Sequence, residues 1–221
     1  MGWYRSPGFR SLAVATTDGI IGTAGVLQGF AGAGASSSTL LVASISALVA
    51  GSAAGFGSKY AELAAERDAE RAVIADETKD LHDDSSDELA ELTAHFEERG
   101  VERDLARATA EQMFAHDALA AQLETEHGIT ARTGAAGPYL GALATALAFA
   151  VGSALPLAIL LAYPAAWETW AVFIAVLISL AITSVLIAIS ARTSVPRALA
   201  RTLTLGAATM ALSYLAGVLV F

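Results

Sequence analysis

TLLVASISALVAGSAAGFGS, residues 39–58, runs without a break into KYAELAAERDAERAVIADETKDL, residues 59–81. The first stretch carries no charge and has the length that a helix needs to cross a bilayer, about 20 mostly apolar residues. The second stretch is rich in charged and helix-forming residues and contains neither glycine nor proline. The pair therefore predicts one helix that crosses a membrane and continues into water.

The composition of the whole chain agrees with this reading. Of 221 residues, 55% are hydrophobic and only 16% are charged, and the mean hydropathy is +0.55. Soluble domains carry about 25% charge. Residues 59–132 hold 20 of the 22 acidic residues and all four histidines. Removal of charge from the rest of the chain is typical of segments that lie in hydrocarbon.

Five stretches are apolar and long enough to span a bilayer. The sequence predicts an all-α integral membrane protein with five transmembrane helices and a three-helix cytoplasmic domain between helices 2 and 3. The domains are residues 1–58, 59–136 and 137–221. Tyr163-Pro164, with Trp167 and Trp170, marks the turn between spans three and four. The five spans are Leu12–Ala35, Thr39–Ser58, Pro138–Ala162, Trp167–Ser190 and Leu199–Phe221.

The lysines and arginines predict the orientation, because cytoplasmic ends are enriched in them. With five spans, all 13 fall on one side, in the N-terminal segment, in the insert and in the loop from Arg192 to Arg201. The N-terminus and residues 59–136 are therefore expected in the cytoplasm, and the C-terminus on the other side. The first apolar run is long and glycine-rich, so a retained span is expected there rather than a cleaved signal peptide.

Helix signals divide the insert into three helices. Ser85-Ser86-Asp87-Glu88 has the spacing of a capping box, in which Ser85 caps the helix and Glu88 reaches back. This second helix is expected to end near Gly100. The third is expected from Glu102 to His127, closed by Gly128. Its apolar positions predict a buried stripe: Leu105, Ala108, Met113, Ala115, Leu119 and Leu123.

Asp18 is the one ionisable residue well inside a predicted span. A carboxylate there costs at least about 2.5 kcal/mol by insertion scales, so it needs a partner, a cation or a wet cavity. A small-residue stripe follows it on the same helix face, and span two has a matching stripe, so the two helices can pack closely and turn Asp18 towards the bundle interior. A helix-end role or a pair with Lys59 is the alternative. The stripes are Gly22, Gly25, Gly29 and Gly32, and Ser44, Ala47, Gly51, Gly55 and Ser58.

Acidic residues of the insert recur at helical spacing. Like charges four residues apart repel, so such a row must be solvated, paired or neutralised by cations. Carboxylates are hard oxygen ligands suited to divalent metals. By composition alone a solvated helix face remains open, and His116, beside the predicted stripe, is expected to be structural. The row is Glu77, Asp80, Asp84, Glu88 and Glu91, with Glu62, Glu66 and Glu70 upstream.

Several function classes lack support in the residues. The absence of cysteine excludes disulfides and thiolate metal sites. The sequence has no phosphate-binding loop and no hydrolase signature. The net charge of −9 argues against a nucleic-acid partner. We therefore expect no enzyme activity, no organic cofactor, and a bilayer and metal ions as partners.

Three segments resemble the vacuolar iron transporter family, including its bacterial members. Asp18-Gly19-Ile20-Ile21 resembles the family's first-span signature. The segment from Tyr60 to Asp68 resembles the end of the family's second span. Glu88-Leu89-Ala90-Glu91-Leu92, Arg99-Gly100 and Ala115-His116-Asp117-Ala118-Leu119 resemble the family's cytoplasmic domain. The order of spans and insert also matches.

The resemblance implies a homodimer that exports Fe(II), and often Mn(II), from the cytosol in exchange for protons. It implies that Asp18 lies on the ion path, and a bacterial plasma-membrane location is expected. The implied ligands in the acidic domain are Glu77, Asp80, Glu88, Glu91 and Glu126. Weaker candidates are Asp84, His116 and Gln122; the family's paired methionines fall near Gln122 and Leu123.

Two departures from the family lie on the ion path. Gly55 stands at the place of the family's span-two methionine, and Lys59 at the place of a glutamate. Loss of a thioether weakens selection of soft-leaning transition metals. The alternative is therefore a non-transporting, membrane-anchored metal-binding or assembly module on the same scaffold.

Overall fold

The computed structural model describes residues 6–130, 134–162 and 168–220. Within those ranges all regular structure is helical, and the chain forms two compact units, residues 1–60 with 139–221, and residues 61–138. The predicted turn at Tyr163-Pro164, Trp167, and two of the counted cations, Arg5 and Arg132, lie outside the described residues. The helices are α1 (Pro7–Gly32), α2 (Ser37–Asp83), α3 (Ser85–Glu98), α4 (Arg103–Thr125), α5 (Gly137–Ala162), α6 (Glu168–Ala191) and α7 (Val195–Val220).

Helix α2 confirms the expectation drawn from residues 39–81, since its 47 residues form one continuous helix. It contributes its first half to the apolar unit and its second half to the acidic one. Four helices among the described residues are long and apolar enough to cross a membrane: α2, α5, α6 from Trp170, and α7. Helix α1 is also 26 residues long, but it is richer in glycine and threonine, and the count of five spans stays a prediction.

Helix α1 lies in the middle of the apolar unit, packed on α6 and α7. Its Ile20, Ala24 and Leu27 belong to one buried cluster with residues from α2, α5, α6 and α7. A helix that packs on its neighbours with one face need not be hydrophobic on the rest of its surface. Helix α6 shows the opposite pattern, with Val176 buried and Ile178 57% exposed, as expected for a face that would meet lipid.

Glycines set the closest helix contacts, but not between the predicted partners. A Cβ at Gly19 would collide with the backbone of Phe149 in α5, and one at Gly152 with the backbone of Thr16 in α1. Further along α1, Gly32 meets Tyr214 of α7 in the same way. The stripe of α1 thus packs on α5 and α7, and not on the stripe of α2 as predicted.

The small-residue stripe of α2 also packs against α5. A Cβ at Gly51 would collide with the ring of Phe149, and the nearest atom to one at Gly55 is the Thr145 methyl, 4.0 Å away. Small residues permit close backbone approach to any neighbour that fits. The spacing therefore identified the contact faces of both helices but not the helices that fill them.

The second unit contains the predicted insert helices, but the residue that caps α3 differs from the prediction. Asp84, not Ser85, caps α3: its Oδ1 accepts hydrogen bonds from the amides of Ser86 and Asp87 at 3.1 and 3.2 Å. A carboxylate also interacts favourably with the positive end of the helix dipole. A hydrogen bond from the Ser86 hydroxyl, and then these two backbone bonds, hold the pKa of Asp84 below its ordinary value. Helix α3 ends at Glu98, and Gly100 has a left-handed φ of 89°, as the predicted stop requires.

The predicted buried stripe of the third insert helix is half right: Leu123 is buried, and Met113 and Leu119 are partly buried. Leu105 is 60% exposed, and Ala108 and Ala115 are exposed as well. Helix α4 has extended backbone at Asp117, which interrupts the helical phase, and the Asp117 Oδ1 caps the next turn by accepting from the amide of Ala120 at 3.0 Å. The buried residues are Ala106, Ala110, Ala121, Gln122 and Leu123.

Candidate metal centre

The break between α2 and α3 converts a row of acidic residues into a cluster. Helix α2 ends at Asp83 and α3 begins at Ser85. A single helix would have kept Glu77 and Glu91 about 21 Å apart at 1.5 Å per residue. In the structure Glu77, Asp80 and Glu91 all lie near enough to raise the pKa of Glu88. The carboxylates therefore repel one another at one place. A solvated row along a single helix would have kept them farther apart.

The end of α4 completes the cluster. The Nε2 of His127 lies 3.0 Å from Oε1 of Glu77, which joins the last turn after α4 to α2. Glu77, Glu126 and His127 each offer a ligand atom within 4.8 Å of the other two. The Glu77 side chain is 12% exposed and the His127 side chain 36%. Two carboxylates and an imidazole at this spacing can hold a divalent metal ion.

Gln122 connects Glu88 to α4. Its Nε2 donates to the backbone oxygen of Glu88 at 2.9 Å and to the Glu88 Oε2 at 2.6 Å. Gln122 is fully buried, whereas Glu88 is half-buried. The amide therefore fixes the side chain of Glu88 on the side of α3 that faces α4.

The carboxylates of the cluster repel one another. Burial raises the pKa of Glu88, and Glu77, Glu91 and Asp80 raise it further, against the bond from Gln122. Burial also raises the pKa of Glu126, with further contributions from Glu77, Glu91 and Glu88, opposed by His127. All five ligands implied by the resemblance thus act on the same small region. A cation there would relieve the repulsion.

Two buried polar atoms of this region have no hydrogen-bond partner among the described residues. They are Oε2 of Glu77 and Oε1 of Gln122. A buried acceptor without a partner costs about 1–3 kcal/mol, and more when it is charged. Oxygen atoms left in this way beside several carboxylates fit the donor set of a divalent cation.

The three weaker ligand candidates lie in different surroundings. Gln122 belongs to the cluster through Glu88, and Asp84 is engaged in capping α3. His116 is exposed, not packed in a core as expected, and it borders a surface depression of about 270 Å³ with Asp117 and Glu124. His127 was not among the predicted ligands, and the sequence placed it only at the expected end of the third insert helix. Its position next to Glu126, just before the helix-closing Gly128, was the available signal.

The apolar unit holds the residues expected on the ion path. Asp18 is exposed on the surface of the single chain, on the same face as Val14 and Gly22, and it does not point into the bundle as predicted. The neighbouring Gly19 makes the contact with α5, which turns Asp18 away from it. Along antiparallel helices joined by a short turn, Lys59 lies about 12 Å beyond the level of Asp18, from the rise per residue. The alternative pair of Asp18 with Lys59 stays a prediction.

Comparison with known proteins decides the family. A sequence profile described as the VIT family matches residues 9–218, nearly the whole chain. This chain belongs to the VIT family. A curated relative, the vacuolar iron transporter of Acanthamoeba castellanii, is 36% identical over 90 residues. That alignment covers 41% of this chain and 34% of the relative, so the chain matches about a third of the relative's length.

Membership of the VIT family confirms the resemblance read from the three sequence segments. Iron transport is named for the relative from Acanthamoeba castellanii. The helices long enough to cross a bilayer agree with an integral membrane protein.

Proposed function

We propose that this protein exports divalent transition metal, Fe(II) or Mn(II), from the cytosol by proton antiport. The observation that carries the proposal is the convergence of Glu77, Glu126 and His127 within 4.8 Å, in a VIT-family chain. Carboxylate and imidazole ligands suit both ions. The acidic unit would collect the ion, and the apolar unit would carry it through the membrane.

Five spans give the arrangement that this function needs. Helix α1 would be the fifth, because it is 26 residues long and lies at the centre of the apolar unit. All lysines and arginines then fall on one side, which is the cytoplasmic one by the positive-inside rule. The acidic cluster would therefore be exposed to metal ions of the cytosol. The membrane that the protein crosses would be a bacterial plasma membrane.

A homodimer would complete the ion path. Asp18 is exposed in the single chain, inside a helix that would lie in the membrane. A carboxylate in contact with lipid is costly, whereas one that faces a second protomer or a water-filled path can be hydrated or can bind a cation. Two copies that pair on this face would place two Asp18 side chains beside one path. There they would bind the partly dehydrated ion or carry the exchanged proton.

The alternative is a non-transporting module that binds metal at the acidic cluster. Gly55 supplies no ligand where the family carries methionine, and Lys59 places a cation near the cytoplasmic end of the path. We favour transport, because by helical rise Lys59 lies about 12 Å from the level of Asp18. Measured flux separates the two functions.

The experiment is metal uptake into proteoliposomes by the whole protein and by the double variant Glu88→Ala with Glu91→Ala. We expect the apparent affinity for Fe(II) or Mn(II) to fall on the order of tenfold or more. Glu97→Ala with Glu98→Ala removes the same charge from the same helix outside the cluster, and it should leave the affinity unchanged. Equal effects of both double variants would contradict a metal site in the cluster.

A further inference from the structure

Ser153 of α5 makes a hydrogen bond that leaves its own helix. Its Oγ donates to the backbone oxygen of Gly19 in α1 at 3.2 Å, between residues 134 positions apart. Thr145 on α5 and Ser179 on α6 instead donate to the backbone oxygen four residues earlier in their own helices. Ser153 has no solvent exposure. Its hydroxyl therefore joins α5 to α1 in the interior of the apolar unit.

The bond lies at the closest contact between the two helices. A Cβ at Gly19 would collide with the backbone oxygen of Phe149, four residues before Ser153, and one at Gly152 would collide with the backbone oxygen of Thr16. Each helix thus presents a backbone oxygen to a glycine of the other. A turn of α1 about its axis would break the Ser153 bond and bring a side chain against α5 in place of Gly19.

The hydroxyl of Thr23 has no hydrogen-bond partner among the described residues, although this side chain is fully buried. A helical threonine can donate to the oxygen four residues earlier, which for Thr23 is that of Gly19. A carbonyl oxygen has two lone pairs, and this one accepts the Thr23 amide within the helix and the Ser153 hydroxyl. The bond to α5 therefore takes the place of a bond within α1.

Asp18 lies next to this contact. Successive helical residues point about 100° apart, so with Gly19 buried against α5 the Asp18 side chain is exposed. We propose that Ser153 is a positioning residue for Asp18: its hydroxyl, bonded to the Gly19 oxygen, holds the rotation of α1 that keeps the carboxylate facing the ion path. The inference rests on the proposed function, since it takes Asp18 to lie on that path.

The first test is uptake of Mn(II) and, without oxygen, of Fe(II) into proteoliposomes by the whole protein and by Ser153→Ala. We expect the maximal rate to fall on the order of tenfold, because a displaced carboxylate meets the ion poorly. The metal concentration that gives half the maximal rate should not change, because the acidic cluster is untouched. Ser179→Ala removes a hydroxyl that bonds within α6 and should leave the rate unchanged.

Conservative variants and stability separate positioning from support of the fold. Ser153→Thr keeps the hydroxyl and should retain most of the rate; if it fails to fold, Ser153→Cys, with a weaker donor, should give an intermediate rate. In Ser153→Ala the Thr23 hydroxyl can donate to the freed Gly19 oxygen, so the Tm in detergent should change little. A fall of the Tm in step with the rate, with the rate restored at lower temperature, would make Ser153 a structural residue only and overturn the inference.

The second test follows the direction of residue 18 without transport. The chain has no cysteine, so Asp18→Cys provides a single thiol, and its alkylation by N-ethylmaleimide in detergent measures its exposure. We expect the added change Ser153→Ala to lower the alkylation rate severalfold. Phe30→Cys, at an exposed position where Gly32 still packs on Tyr214, should keep its rate. An unreactive thiol at residue 18, or equal rates with and without Ser153, would overturn the inference.

Failure of the proposed function gives a different result. If the wild type carries neither metal, Asp18 has no ion path to face, and the inference falls with transport. If the wild type carries metal and Ser153→Ala matches its maximal rate, only the role of Ser153 is overturned.

Discussion

The Nε2 of His127 and the Oε1 of Glu77 lie 3.0 Å apart, although the two residues are 50 positions apart in the sequence. The contact joins the last turn after α4 to the second half of α2. Glu126 contributes the third potential ligand atom, so three such atoms meet where the end of α4 lies against the second half of α2. The break between Asp83 and Ser85 ends α2, and the chain then passes through α3 and α4 before Glu126 and His127 meet Glu77.

Replacement of His127 by alanine removes the single imidazole of this group. We expect His127→Ala to weaken Mn(II) or Fe(II) binding on the order of tenfold, measured by titration of the whole protein. His116→Ala is the matched control, because His116 is exposed on α4 and lies outside the group. Equal loss of affinity in both variants would show that His127 has no special place in the site.

Glu88→Gln should raise stability at neutral pH while it weakens metal binding. The pKa of Glu88 is raised above its ordinary 4.5 by burial first and by neighbouring acids next. A raised folded-state pKa gives stability that is complete below the unfolded-state value and is lost as pH rises through the folded-state value. Glutamine is neutral at every pH and can still accept from Gln122. Metal-free Glu88→Gln should therefore have a higher Tm at pH 7 than the wild type.

Thermal unfolding from pH 5 to pH 8, followed by circular dichroism without metal, checks the sign. The advantage of Glu88→Gln should shrink as pH falls, because the wild-type carboxyl becomes protonated. Glu98→Gln, an exposed position on the same helix, should show no such trend. An advantage that grows towards acid pH would contradict the assigned electrostatics.

Gly19→Ala should destabilise the apolar unit. The added methyl would collide with the carbonyl oxygen of Phe149, a backbone atom that can move only with α5. Overpacking of this kind costs about 1–3 kcal/mol. At Gly57 an added Cβ has nothing within 4 Å, so Gly57→Ala should be neutral or stabilising through helix propensity. The Tm of each variant in detergent measures the difference, and equal values would contradict the close α1–α5 contact.

The sequence predicted the helices themselves better than it predicted which helices pack against each other. The uncharged run and the helix-forming run of residues 39–81 determine α2 almost by themselves, because both signals are local. The partner of the glycine stripe on α1 was not predictable in this way. Any helix with a suitable surface could fill it, and the choice depended on Phe149 and Tyr214, which lie far along the chain.

The candidate site shows the same difference between local signals and contacts between distant parts of the chain. The acidic residues at helical spacing were visible in the sequence, and the resemblance selected four of them and added Glu126. Their convergence depends on a chain reversal at Asp84, whose carboxylate caps α3 one residue earlier than the serine pattern suggested. The misplaced stripe on α4 has a similar cause, since the extended backbone at Asp117 resets the helical phase. His127 became a candidate only when the folded chain set it against Glu77.

Gly55→Met tests whether the ion path lacks only a soft ligand. A Cβ at Gly55 would have the Thr145 methyl, at 4.0 Å, as its nearest neighbour, so a longer side chain has room to begin. The thioether should raise Fe(II) flux relative to Mn(II) flux in proteoliposomes. Gly57→Met introduces the same side chain two positions away, on an open face, and should leave the ratio unchanged. An unchanged ratio in Gly55→Met would remove position 55 from the path.

The most direct measurement is uptake of Fe(II) and Mn(II) into proteoliposomes across an imposed pH gradient, with wild type and Asp18→Asn compared. Asparagine keeps the size of the side chain and removes its charge. We predict metal flux coupled to the pH gradient in the wild type, and its loss in a folded Asp18→Asn protein that still binds metal at the acidic cluster. Absence of flux in the wild type, with metal binding intact, would contradict transport and leave the membrane-anchored binding module.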